Sequence, residues 1–231
     1  MQRRAVGYPT PMIQAVIFDV DGVLVDSYEA HFRSWKTLAA ESAISLSAAQ
    51  FAETFGRTSR DIIRLLWPGG RELNEGTVRA LDERKEALYR EIIAEDFPVM
   101  DGARELVQAL DRAGIRLAVG SSGPPENVGL VLERLGRSRF AAVVTGRDVS
   151  RGKPDPQVFL IAARRLNVPA RECVVVEDAP AGILAARAAG MASVALVSTG
   201  RSEEEFRRVH PDLVVRSLRE LSAERLKGLE V

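Results

Sequence analysis

Apolar and polar positions alternate along this chain in two rhythms. Near the start, Ala15-Val16-Ile17-Phe18 is an unbroken apolar run ending in Asp19-Val20-Asp21-Gly22. A short continuous run of this kind predicts a strand buried on both faces, as in a parallel sheet. From Asp26 to about Ala94 the period becomes helical. Phe32, Trp35, Leu38 and Ala39 fall at helical spacing within 28–41. Residues 47–55 predict a short helix capped by Ser47 and stopped by Gly56. Residues 58–67 set Ile62, Ile63, Leu65 and Leu66 on an apolar side, before Pro68-Gly69-Gly70 halts the helix. Residues 77–93 carry a seam of Leu81, Leu88, Ile92 and Ile93. Four helices with no strand between them predict a small bundle.

From Asp101 the rhythm alternates. Helices are predicted over 101–112, 125–135, 155–166 and 181–189, and strands over 116–120, 142–145, 173–177 and 193–197. A last short strand, 213–215, leads into a closing helix. Such alternation marks a parallel sheet covered by helices, and the strand at 15–19 belongs with it. The expected fold is therefore α/β. It has a Rossmann-like parallel-sheet core with helices on both faces, residues 13–27 and 97–231. An α-helical bundle cap, residues 28–96, is inserted after the first strand. The two connections fall near 25–27 and 97–99.

Composition narrows the function. Lys plus Arg and Asp plus Glu both number 32 in 231 residues, so no global basic field exists for nucleic acid or a membrane surface. No apolar run approaches the length of a membrane span. Residues 1–12 lack an apolar signal-peptide core and are expected to be a loose leader. The single cysteine, Cys173, adjoins Val174-Val175-Val176 and is expected to be a buried strand residue. One cysteine permits no internal disulfide, which fits a cytoplasmic protein. Two histidines cannot form a multi-histidine zinc site. Any metal must be held by carboxylates, which favours a hard ion such as Mg²⁺.

The candidate chemistry sits at strand ends. Asp19 and Asp21 are two apart, so in an extended chain both point to one side. Gly22 lets the chain turn away. The strand at 116–120 gives way to Ser121-Ser122-Gly123, a hydroxyl-bearing loop ahead of a helix that suits an oxyanion. The Val174–Val176 run ends in Glu177-Asp178, and the prolines of Gly152-Lys153-Pro154-Asp155-Pro156 stiffen the loop around Lys153. Taken singly, each has a plainer reading: an acidic turn, a helix cap, a capped helix start, a surface lysine. A parallel sheet, however, brings its carboxyl ends to one edge. There Asp19, Asp21, Glu177 and Asp178 would meet Ser121 and Lys153. Four carboxylates at one edge repel each other unless they share a cation. A divalent ion also binds a phosphate oxygen, so the site is suited to a phosphoryl group.

These motifs, in this order, resemble the haloacid dehalogenase-like superfamily, in the branch whose helical cap follows the first motif. The resemblance covers nearly everything after residue 12. It implies that Asp19 is the nucleophile forming an aspartyl-phosphate, and that Asp21 protonates the leaving oxygen and later activates water. It implies that Mg²⁺ is held by Asp19, Asp178 and the Asp21 backbone carbonyl, with Glu177 in support. Ser121 and Lys153 would hold the transferring phosphoryl, beside Ser122. Dehalogenases of the superfamily lack the second aspartate, so Asp21 favours phosphate chemistry.

The cap is similar to that of β-phosphoglucomutases in Tyr28–Lys36, which carries His31 and Trp35, and in Lys85. The loop Gly56-Arg57-Thr58-Ser59-Arg60 resembles the mutase loop whose arginine binds a distal phosphate, and either Arg57 or Arg60 fits that role. Ser121-Ser122-Gly123-Pro124 puts proline where the mutase has lysine. The resemblance therefore implies first a Mg²⁺-dependent phosphatase of a small phosphate monoester, such as a sugar phosphate. Second comes a β-phosphoglucomutase using the same intermediate, and third a non-catalytic binding protein. The partner implied is a small-molecule ester, with no nucleic acid or membrane, and the chain is expected to be monomeric.

Overall fold

The computed structural model describes residues 12–55, 57–198 and 200–229. In chain order the elements begin with β1 (Ala15–Phe18), α1 (Tyr28–Glu41), α2 (Ala48–Thr54), α3 (Ser59–Leu66) and α4 (Glu75–Glu95). They continue with α5 (Ala103–Arg112), β2 (Arg116–Gly120), α6 (Pro125–Leu135), β3 (Phe140–Val144), α7 (Gln157–Leu166) and β4 (Cys173–Glu177). The last are α8 (Pro180–Ala188), β5 (Ala192–Leu196), α9 (Glu203–Arg207), β6 (Leu213–Val215) and α10 (Ala223–Lys227). The chain divides into two compact units, one of Asp26–Pro98 and one of the residues on either side. Among the described residues no helix is long and apolar enough to cross a membrane.

The flanking unit is a six-stranded sheet of order β3-β2-β1-β4-β5-β6. Every pairing is parallel. After β1 the chain builds one side of the sheet, then crosses back to build the other. Open α/β sheets bind ligands outside the carboxyl ends of the strands beside such a reversal. Here those ends belong to β1, β2 and β4. Strands β1, β4 and β5 are buried along their whole length, which explains their continuous apolar runs. Phe159 and Ala162 of α7 pack with Ile17, Ala118 and Val175 in a buried cluster of this unit. Each aliphatic side chain fully buried there contributes about 1.5–3 kcal/mol.

Some edges differ from the pattern-based expectation. β3 starts at Phe140, which is buried and pairs with Leu117 across a register shift. The preceding Arg137–Arg139 turn masks that start as polar sequence. α7 starts only at Gln157, because a residue before proline is pushed out of the helical region and the loop carries two prolines. Asp155 accepts the Gln157 N–H at 3.0 Å. α9 was not expected, since Phe206 is its one buried residue. A reciprocal cap between Ser202 and Glu205 marks its start. Cys173 is buried as expected, and burial pushes its thiol up to about 12.

The unit of Asp26–Pro98 holds α1 to α4. Its helix starts follow local hydrogen-bonding rules. Ser47 and Gln50 form a reciprocal cap on α2, Thr58 accepts the Asp61 N–H on α3, and Asn74 accepts the Thr77 N–H on α4. Trp35, Leu38, Phe51, Ile62, Ile63, Trp67, Val78 and Leu88 form the core. Leu65 departs from expectation: it is 50% exposed. It lies two positions past Ile63, roughly 200° around the helix, and so faces away from the bundle.

Candidate active site

The register of the sheet assembles the acids. Phe18 lies opposite Val119 on one side and Val176 on the other. The next residues, Asp19 and Glu177, therefore leave adjacent strands at the same level, and the Asp19 N–H still donates to Val176 O at 3.0 Å. Lys153 reaches the same place from the loop before α7. Its Nζ donates to Asp19 Oδ1 at 2.8 Å and to Glu177 Oε1 at 2.6 Å. The three side chains are almost wholly buried.

Burial sets the protonation. It pushes the Asp19 carboxyl up to about 7, with Lys153 opposing the rise and Glu177 and Asp21 adding to it. Burial alone would lower the Lys153 ammonium, but the Asp19 and Glu177 carboxylates raise it above the ordinary lysine range. Lys153 is therefore cationic across the physiological range. The cost of ionising Asp19 is on the order of 4 kcal/mol. A few buried side chains such as Ile17, Phe18, Val175 and Val176 offset a penalty of that size.

Asp19, Glu177 and Asp178 each offer a carboxylate oxygen, all within 4.8 Å of one another and all buried. An all-carboxylate set of this kind fits a hard divalent cation. Asp21 does not join that group through its side chain. It is half-buried, and its Oδ2 would lie 3.7 Å from a β-carbon at Gly123, with Ser121 Oγ 3.2 Å away. Asp21 and Ser121 thus border the same glycine.

The second-motif loop is strapped to the end of β3. Ser121 is buried, its N–H donates to Val144 O at 3.0 Å, and its Oγ accepts the Gly123 N–H at 3.0 Å. Ser122 is exposed. The Gly146 N–H donates to Gly123 O at 2.9 Å. A β-carbon at Gly146 would stand 2.4 Å from Ser122 O, so only glycine fits there. Thr145 and Asp148 cap the next turn reciprocally, and Arg165 of α7 binds Asp148 and Val143 O.

Phe159 supports Lys153. Its buried ring centre is 5.0 Å from the ammonium. A β-carbon at Gly120 would meet the ring at 3.0 Å. A desolvated cation over an aromatic face is attracted by up to about 2 kcal/mol. Sequence reading missed Phe159, Gly146 and the Arg165 strap. Phe159 fits the ordinary helical apolar spacing and so gave no signal. Thr145-Gly146-Arg147-Asp148 did carry one, a capping spacing at the end of a strand.

The helical unit carries its own polar cluster. Lys85 is buried; its Nζ lies 2.9 Å from His31 Nδ1 and 2.9 Å from Glu86 Oε1. It also sits over the rings of Trp35 and Tyr89, and His31 stacks on Tyr89 at 4.1 Å. An ammonium only donates, so His31 Nδ1 accepts and its proton resides on Nε2. Ser59 Oγ donates to Glu86 at 3.0 Å. Arg60 pairs with Asp82 at 3.6 Å. Burial and the neighbouring Glu86 raise the Asp82 carboxyl. Arg57 is exposed, and Gly56 lies outside the described residues.

Residues 13–190 match the family model of haloacid dehalogenase-like hydrolases. The chain belongs to that family and is an enzyme of it. It is 33% identical over 220 residues to β-phosphoglucomutase of Bacillus subtilis (strain 168), covering 93% of this chain and 94% of that protein. It is 30% identical over 218 residues to hexitol phosphatase B of Escherichia coli (strain K12), covering 94% and 97%. Among solved structures, CbbY from Rhodobacter sphaeroides in complex with xylulose-(1,5)bisphosphate matches with a TM-score of 0.80 at 26% identity. That match covers 91% of this chain and 96% of that one.

Proposed function

We propose that this enzyme is a Mg²⁺-dependent phosphatase acting on a sugar phosphate or a similar small phosphate monoester. The observation that carries this reading is the buried Lys153 ammonium joining Asp19 to Glu177, with Asp178 in the same acidic cluster. A carboxylate that attacks an anionic phosphate needs its own charge offset, and this cluster offers both a cation and a place for a second one. Hexitol phosphatase B, a relative over nearly the whole chain, supports the substrate class.

In this reading Asp19 attacks phosphorus. The bond to the ester oxygen breaks, an aspartyl-phosphate forms, and Asp21 gives its proton to the departing oxygen. Asp21 then takes a proton from water as the water oxygen attacks phosphorus. The bond to Asp19 breaks, and inorganic phosphate leaves. Ser121, Ser122 and Lys153 hold phosphoryl oxygens. Asp19, Glu177, Asp178 and the Asp21 backbone carbonyl would hold Mg²⁺, which would act as a Lewis acid and neutralise phosphoryl charge. His31, Lys85 and an arginine of the 56–60 loop, Arg57 or Arg60, would recognise the remainder of the substrate. Balanced charge and one buried cysteine support a cytoplasmic enzyme working on small molecules.

A β-phosphoglucomutase is the second reading, favoured by the 33% identity to the Bacillus enzyme. The test is phosphate release from a panel of phosphate monoesters, with Mg²⁺ and with chelator. It is run beside an isomerisation assay dependent on glucose 1,6-bisphosphate. Mg²⁺-dependent release that outruns isomerisation is the expected result. Isomerisation without net release would select the mutase, and neither activity would overturn both readings.

A further inference from the structure

Gly182 is a glycine inside α8, in the run Pro180-Ala181-Gly182-Ile183-Leu184-Ala185-Ala186. Helix propensity alone favours alanine at such a position. The backbone there does not demand glycine, since Gly182 is not among the glycines with positive φ. The reason lies in what occupies its missing side-chain space. A β-carbon on Gly182 would stand 1.9 Å from Glu177 Oε1, 2.0 Å from Cδ and 2.5 Å from Cγ. The Glu177 carboxylate fills the volume that any side chain at 182 would need.

Both oxygens of that carboxylate are committed. Oε1 accepts from Lys153 at 2.6 Å, and Oε2 accepts the Ala179 N–H at 2.8 Å. Glu177 is 1% exposed, so it has no solvent to swing into. Lys153 in turn is bonded to Asp19. We propose that Gly182 is a positioning residue: its vacant β-position seats Glu177, and through Glu177 fixes Lys153 and the turn that presents Asp178. A methyl at 182 would expel the carboxylate, releasing the Ala179 N–H and removing one of the two acids that hold Lys153. The inference rests on the phosphatase reading for its effect on rate, but not for its effect on Glu177.

The test is a double-mutant cycle of Gly182→Ala and Glu177→Ala, read in two ways. The first is hydrogen exchange at the Ala179 amide in protein freed of metal. The second is kcat/KM for a phosphate monoester at saturating Mg²⁺. Gly182→Ala is expected to speed Ala179 exchange at least tenfold and to lower kcat/KM at least a hundredfold. In the Glu177→Ala background it should change either quantity by less than twofold, because the group it displaces is gone. Equal effects in both backgrounds would overturn the proposal, as would wild-type exchange and activity in Gly182→Ala. If Gly182→Ala fails to fold, recovery of folding in the double variant supports the proposal, and failure of both overturns it. Should wild-type protein release no phosphate, the phosphatase reading falls while the exchange result still decides the role of Gly182.

Discussion

The two units bury a lysine each, and they do so by different means. In the sheet unit Lys153 meets Asp19, 134 residues away, and Glu177, 24 residues away. All three stand at the carboxyl edge of strands locked by a parallel ladder. In the helical unit Lys85 meets its sequence neighbour Glu86 and His31 of an adjacent helix, over two aromatic rings. The first arrangement concentrates like charges that only a cation can reconcile. The second sets one lysine against an imidazole, the Glu86 carboxylate and two π faces. The proposed reading gives the first cluster to chemistry and the second to recognition. Removing a partner should therefore have very different consequences in the two units.

The largest expected effect is at the nucleophile. Asp19→Asn should lower phosphate release at least a thousandfold, about 4 kcal/mol of transition-state stabilisation, with the melting midpoint preserved. A variant keeping a tenth of wild-type kcat would remove Asp19 from the covalent role. Next is the ion. Chelator should abolish turnover, and Asp178→Ala should raise the half-activating Mg²⁺ concentration at least tenfold, while Asp82→Asn leaves it unchanged. A titration of rate against Mg²⁺ for the three proteins decides this.

The lysines test the comparison directly. Lys153→Met leaves Asp19 and Glu177 buried without their counter-charge, a loss of about 3–5 kcal/mol. Its melting midpoint in chelator should fall by roughly 10 °C. Lys85→Met places an apolar chain against Trp35 and Tyr89 and should fall far less. Equal falls would break the distinction between the two clusters. Smaller still is recognition. Arg60→Ala should cost about tenfold in kcat/KM for a substrate with a second anionic group, and less than twofold for an aryl phosphate. Arg57→Ala, measured alongside, assigns the role to one arginine.

A separate test is stability against pH, where Asp19 dominates. In metal-free protein Asp19 holds its proton to about pH 7, against 3.8 for the ordinary carboxyl. The folded state then binds more protons than the unfolded state across that window, so stability falls as pH rises through it. The raised Asp82 carboxyl adds in the same direction. The lowered carboxyls of Asp101, Asp148 and Glu205 act the opposite way, below the ordinary carboxylate range. Denaturant melts between pH 5 and 7 should show the decline, and Asp19→Asn should flatten it.

Strands β1, β2 and β4 were legible because burial on both faces writes an unbroken apolar run. The acids were legible because each stands where such a run stops. α9 was not, since a helix with one buried residue leaves no stripe. That Lys153 would meet Asp19 and Glu177 was legible from the shared sheet edge, but the direct bonds to both were not, because a loop lysine carries no periodicity and the strand register sets its distances. Gly182 and Phe159 fit their helices unremarkably, and their meaning lies wholly in what tertiary packing sets beside them.

The entry and exit of the helical unit are paired with each other. Val25 bridges Val99 in antiparallel fashion. The Met100 N–H donates to Leu24 O at 3.2 Å, and the Asp26 N–H donates to Pro98 O at 2.8 Å. The chain thus enters and leaves the helical segment through a short antiparallel bridge, as at the base of a hairpin loop. A bridge of this kind hides the length of its loop from the sheet. Helices could be lengthened, exchanged or lost between residues 26 and 98 without shifting the strand order or the level at which Asp19 and Glu177 emerge. In the proposed reading, recognition and chemistry belong to segments that this bridge separates along the chain, so a variant in one can be made without changing the residues of the other.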